Sequence, residues 1–159
     1  MQKKQFVRIS LALALSLTTG VSIAASSRSN DMPNDQVRAY APISNGTDAT
    51  LGNMKLSKSS ASFSKLTGKM QLRYAGVRKP ENGDTEFSGD VYQVMNADAF
   101  FKSNKGKNGF CDEPVKWVTI GDLSVGGIRI GMLSSVDWKK YTSTSTEGCS
   151  ADSFALQGE

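Results

Sequence analysis

Among the residue types that carry chemistry, this chain offers two cysteines, fifteen carboxylates and no histidine. The lack of histidine removes Ser–His and Cys–His nucleophile pairs and the common zinc ligand sets together. Cys111 and Cys149 are far from a C-x-x-C arrangement and, without histidine, make a poor metal set. They read as one structural disulfide closing a segment that also holds both tryptophans, Trp117 and Trp138. For a loop of about 39 residues the loop-entropy model gives about 4 kcal/mol of stabilisation. That is a large share of the roughly 5–15 kcal/mol typical of a small domain.

The carboxylates are less promising. Asp112 and Glu113 are adjacent, so on a strand they point to opposite faces. Asp84, Glu86 and Asp90 lie near one hairpin, and Asp84 with Glu86 has the spacing to share a face. No calcium-loop spacing accompanies them, so solvated charges beside a turn are the plainer reading. No catalytic residue, no metal site and no cofactor is assigned. Lys105-Gly106-Lys107-Asn108-Gly109 exposes backbone N–H groups suited to an anion, but it lacks the P-loop spacing and reads as a surface loop. Trp117 falls in a strand pattern and is expected in the core. Trp138 stands among Asp137, Lys139 and Lys140, a polar setting in which an indole serves as a binding anchor. The candidate contact set is therefore Trp138, Lys139, Lys140 and Tyr141, with Lys105, Lys107 and Asn108 as neighbours.

The elements that must position these residues are short and extended. Gln36–Ala41 is a candidate first strand ended by Pro42, and Ser44–Asp48 has a turn composition. Met54–Ser57 and Ser62–Leu66 alternate around a turn at Lys58–Ala61. Lys69–Tyr74 puts Met70, Leu72 and Tyr74 on one face and Lys69, Gln71 and Arg73 on the other. Pro80–Asp84 is a turn, and Phe87–Met95 resumes the extended pattern. Asn96–Lys102 is the one helix expected, with Asn96 as N-cap. Val115–Ile120 is rich in β-branched and aromatic residues, and Gly121-Asp122 breaks it. Leu123–Val125 is a short extended piece, Gly126-Gly127 suits a two-residue hairpin turn, and Ile128–Met132 alternates. Thr142–Thr146 is a loop or an edge strand, and Ser153–Leu156 a closing strand. The count favours a mainly β fold, an antiparallel sandwich or small barrel with one short helix, with α+β as the alternative.

The start of the chain carries the pattern of a secretory signal. Lys3, Lys4 and Arg8 precede the apolar run Ile9–Leu17, and Ser22-Ile23-Ala24 offers small residues for cleavage near Ala24. The run is too short to span a bilayer, which takes about 20 residues. The expected organisation is a signal peptide over 1–24, a mobile polar lead-in over 25–34 and one disulfide-stapled domain over 35–159. No transmembrane segment is expected in the mature chain, and its location is periplasmic or secreted. The signal holds three of the 19 cations and no acid, leaving 16 cations against 15 acids. So balanced a charge gives little attraction to nucleic acid, which is set aside as a partner.

These features point to an exported, non-catalytic binding module acting on a protein or a cell-envelope polymer, for instance an inhibitor or immunity factor. The alternative is a structural or assembly subunit of the cell surface using an exposed sheet edge. A histidine-free hydrolase with paired carboxylates is the third reading. The stapled segment is open to direct test. Reducing agent should lower the melting temperature by the equivalent of about 4 kcal/mol, and Cys111→Ser should melt with the reduced wild type. Melting curves unchanged in both cases would remove the staple.

Overall fold

Eight strands follow one another around a ring, each antiparallel to the next. They are β1 (Arg38–Pro42), β2 (Met54–Ser57), β3 (Ser60–Phe63), β4 (Met70–Arg78), β5 (Gly89–Val94), β6 (Trp117–Asp122), β7 (Gly127–Leu133) and β8 (Gly148–Leu156). The computed structural model describes residues 36–158 apart from 82–84, 110, 124–125, 135–136 and 143–147. The expected signal over 1–24 and the lead-in over 25–34 lie outside the described residues. β1 closes the ring on β8 through Tyr40↔Leu156, Ala41↔Ala155 and Pro42↔Phe154. Of the architectures considered, the chain adopts the small barrel. Among the described residues two helices join it, α1 (Asn45–Thr50) between β1 and β2 and α2 (Ala97–Ser103) after β5.

Period-two alternation sorts the side chains. Leu72 pairs with Val94, Tyr92 with Val118, Val118 with Met132, and Ile120 with Ile130, so these face one interior. Met54, Met70, Ile128, Ile130, Met132 and Phe154 are fully buried there, and burying each such side chain contributes about 1.5–3 kcal/mol. The outer wall carries Lys55, Gln71 and Arg73, all exposed. A barrel that spans a membrane shows the reverse, an apolar band outside and strands of about 9–11 residues; β2 and β3 have four residues each. No helix among the described residues is long and apolar enough to cross a membrane.

One end of the barrel is plugged. Ser44 caps α1 by accepting from the Thr47 N–H (3.1 Å), which is why a stretch of turn composition forms a helix instead. The Thr47 hydroxyl is buried and donates to Asp152 Oδ1 across 2.7 Å, and Ser150 also bonds this carboxylate. The α2–β6 connection crosses the same end, and Gly109 lies so close to Leu51 that a Cβ there would stand 2.6 Å from Leu51 Cδ2. The disulfide joins this connection at Cys111 to the start of β8 at Cys149, with Cα atoms 5.3 Å apart. It therefore fixes the plug to the wall.

Several local expectations give way to tertiary demands. Asn96 is the N-cap of α2, its carbonyl accepting from Phe100 N–H (2.9 Å), but its side chain makes no cap bond. Its side chain accepts from Gln71 N–H (2.8 Å) and donates to Lys69 O (3.0 Å), pinning the start of β4. Gly121-Asp122 does not break β6, because both residues pair with β7. Gly127 lies within β7 and not in the turn; Leu123 N–H bonds Gly127 O, so the connection ends at Gly126, while 124–125 lie outside the described residues. β1 does end at Pro42, which still pairs with Phe154, whereas β3 begins at Ser60 because Ser57 and Ser60 tie a tighter turn. Trp117 faces outward onto a second cluster and not into the main core. The Asn82–Asp84 part of one expected turn and most of the Thr142–Thr146 run lie outside the described residues.

The plug can be tested. Thr47→Val keeps the shape but leaves Asp152 short of a donor, and should cost about 1–3 kcal/mol in denaturant melts. Thr50→Val, whose hydroxyl bonds Gly46 O on the exposed side of α1, should change stability by less than about 0.5 kcal/mol.

Candidate functional site

On the wall formed by β4 to β8, the outward positions are small. Gly76, Val91, Thr119, Gly131 and Ala151 pair in sequence across five strands. Because these side chains are short, a second layer can lie on the strands. Phe87, Leu133 and Tyr141 are buried in it, with Trp117, Trp138 and Ala151 packed against them. The rings of Phe87 and Tyr141 are 4.9 Å apart at 54°. A Cβ on Gly131 would come within 2.6 Å of the Phe87 ring, and one on Gly148 within 2.8 Å of both Phe87 and the Tyr141 hydroxyl. Glycine at these points is what admits the aromatic layer.

Trp138 rests on Gly76. A Cβ there would stand 3.2 Å from Cη2 of the indole, and Gly76 has φ +148°, a conformation side-chain-bearing residues rarely adopt. The strand slips register between Tyr74 and Gly76, a bulge that bends β4 at this point. The Lys139 ammonium lies 5.6 Å from the Trp138 ring centroid. Arg78 stacks over Tyr141 at 4.9 Å and is ion-paired with Glu81 at 3.3 Å, its side chain only 11 % exposed. Cation–π contacts of this kind contribute about 0.5–2 kcal/mol each, more as water is excluded.

Two hollows open around this segment and share Val77, Arg78, Lys79 and Pro80. One, of about 470 Å³, is lined also by Glu81, Trp138, Lys139, Tyr141 and Thr142. The other, of about 500 Å³, extends past Thr85 and Asp122 to Arg129. Arg129 donates to the Thr85 hydroxyl (2.9 Å), which ties the β4–β5 connection to β7. Lys79 and Lys139 are exposed, and among the described lining residues the four cations Arg78, Lys79, Arg129 and Lys139 outnumber the two acids Glu81 and Asp122.

Of the residues expected to make contacts, Trp138, Lys139 and Tyr141 line one cleft. Tyr141 is buried beneath Arg78, and Lys140 is exposed on the adjoining turn. Lys105 and Lys107 are exposed but lie on the connection across the plugged end, and neither lines the two clefts. Asn108 is fully buried and donates to Glu113 O (2.8 Å), holding the loop beside Cys111. Val77, Arg78, Lys79, Pro80 and Glu81 escaped the sequence reading. Their only signal was two cations directly before a proline turn, and nothing local says that Arg78 lies over Tyr141.

The carboxylates around the β4–β5 hairpin part company. Asp90 is buried facing the interior, opposite Ile120, whereas Glu86 lies in the outer layer with its backbone near Gly131; Asp84 lies outside the described residues. No cluster of three or more metal-ligating residues occurs among the described residues. No family model matches the chain, and no curated protein or solved structure matches it either.

The seat of Trp138 gives a direct test. Gly76→Ala should lift the indole and cost about 1–2 kcal/mol through the strained φ. In a Trp117→Phe background the emission should move to longer wavelength. Unchanged emission would show that the ring does not depend on Gly76.

Proposed function

We propose that this chain is an exported, non-catalytic binding module that acts on a protein or a cell-envelope polymer through the cleft bounded by Val77–Glu81 and Trp138–Thr142. The observation that carries the reading is the build of that cleft: an aromatic pair seated on a closed barrel, with Lys79 and Lys139 exposed beside it. Binding surfaces draw their specificity from rigid aromatic anchors with charged groups at the rim. Loops held on a stiff scaffold suit that role. Export and a periplasmic or secreted location are part of the proposal. They are supported by the signal pattern over 1–24 and by the Cys111–Cys149 disulfide, a bond that persists in oxidising compartments. An inhibitor or immunity factor is the kind of protein that would need nothing more than this surface.

The test uses the mature protein immobilised and challenged separately with envelope protein and with purified envelope polymer. Reversing both exposed cations, Lys79→Glu with Lys139→Glu, should lower retention of the true ligand by about tenfold, while loss of the exposed Lys139–Trp138 contact costs no more than about 1 kcal/mol of stability. Raising salt should weaken the wild type in the same direction. Undiminished retention by the double variant would move the site elsewhere.

A further inference from the structure

The barrel is complete, but one seam is short. β3 and β4 share two residue pairs, Ser60↔Gln71 and Ala61↔Met70. The Leu72 N–H adds one last bond to Ser59 O (2.8 Å). Beyond it β3 has already turned back into β2, whereas β4 continues to Arg78, paired with β5 as far as Gly89. Beyond the turn, β4 from Arg73 to Arg78 therefore has a strand neighbour on one side only among the described residues.

The backbone groups of that edge can be assigned. In an antiparallel ladder alternate residues point N–H and C=O at the same neighbour. Leu72 bonds toward β3 and Gln71 toward β5, where it accepts from Met95 N–H. Tyr74 therefore points to the open side, and after the bulge so does Val77. Among the described residues nothing bonds these groups. Their side chains pair with Tyr92 and Asp90, which face the interior, yet Tyr74 and Val77 are 49 % and 50 % exposed. The notch thus bares a strand edge together with the inner, apolar face of the same strand. On the outer side stand Arg73, exposed, and Arg78, held over Tyr141.

We infer that this edge, Arg73–Arg78, receives an extended segment of a partner protein as an added strand. The inference rests on the binding reading above and narrows its partner to protein. The added strand directs apolar side chains toward Tyr74 and Val77 and acidic ones toward Arg73, with alternation supplying both from one segment. Charge decides against a second copy of the chain in this place: antiparallel pairing of two β4 edges around Tyr74–Val77 brings Arg73 of one against Arg78 of the other, and like charges facing across strands repel. The bulge and Arg73 are the features by which proteins keep an edge from pairing indiscriminately.

The probes are capped eight-residue peptides of alternating valine and glutamate, an alternating valine–lysine control, and two N-methylated forms of the first, each methylated on one of the two alternating sets of amides. The valine–glutamate peptide should slow hydrogen exchange at the Tyr74 and Val77 amides of the full mature protein. One methylated form should lose about tenfold or more in affinity and the other should keep it, since only one set faces the edge. The lysine peptide should bind about tenfold more weakly at low salt. Failure of the valine–glutamate peptide to bind, or equal behaviour of the two methylated forms, overturns the inference. So does protection of both amides without peptide, whether independent of concentration, with the chain's own residues before Gln36 in the notch, or dependent on it, with a second copy there. Any of these results leaves the cleft reading standing if retention of the envelope ligand still falls on reversing Lys79 and Lys139.

Discussion

Pairing of the first strand with the last is the constraint on which everything else depends. An open eight-stranded sheet of this sequence would show water the face that carries Met54, Met70, Ile130 and Met132. Joining Tyr40 to Leu156 turns that face inward and leaves the polar side out. Closure also gives the backbone of β1 and β8 partners that no local turn provides, since the two strands are more than a hundred residues apart in the chain. The contact is distant, so it must be fixed by other means. The disulfide and the plug perform that task, because both grip β8: Cys149 through Cys111, and Asp152 through Thr47.

The plugged end explains where the polar groups of the interior go. A buried carboxylate is costly unless donors reach it. Asp152 receives the hydroxyl of α1 and that of its neighbour two residues back, so the helix is held by a bond that the barrel itself requires. The asparagines around α2 work in the same manner. Asn96 and Asn104 reach the β3–β4 connection, Asn104 by accepting from Thr67 N–H (2.6 Å) and donating to Thr67 O (3.1 Å). Residues suited to capping a helix are used to stitch one connection to another.

The barrel is not uniform around its circumference. β1 to β3 are short, while β4 to β8 are longer and carry a second aromatic layer. Both features have one source, the distribution of small residues. Gly76, Gly131, Gly148 and Ala151 leave room on one wall, and the long connections after β4 and β7 fill it with Phe87, Trp138 and Tyr141. The clefts and the free edge of β4 adjoin where this thick wall begins. The features that look functional thus gather beside a single strand, at the step between thick and thin wall.

Local chemistry carried much of the fold on its own. Alternation marked β2, the start of β4, β7 and the end of β8, composition marked α2, and the two cysteines identified their own bond. These properties are written in neighbouring residues, or in there being only two thiols to pair, and need no knowledge of distant ones. Tertiary structure alone decided the rest. Tyr74 has the phase of an interior residue but is half exposed, because β3 stops beside it; nothing within β4 encodes the length of β3. Ser44–Asp48 has the composition of a turn and became a helix that plugs the barrel, since a buried Asp152 waited for Thr47. Trp138 stood out in the sequence as a candidate contact residue, but Val77–Glu81, which lines the same cleft, did not. A strand's period tells which side chains share a face, whereas the identity of what lies against that face is set only when the ring closes.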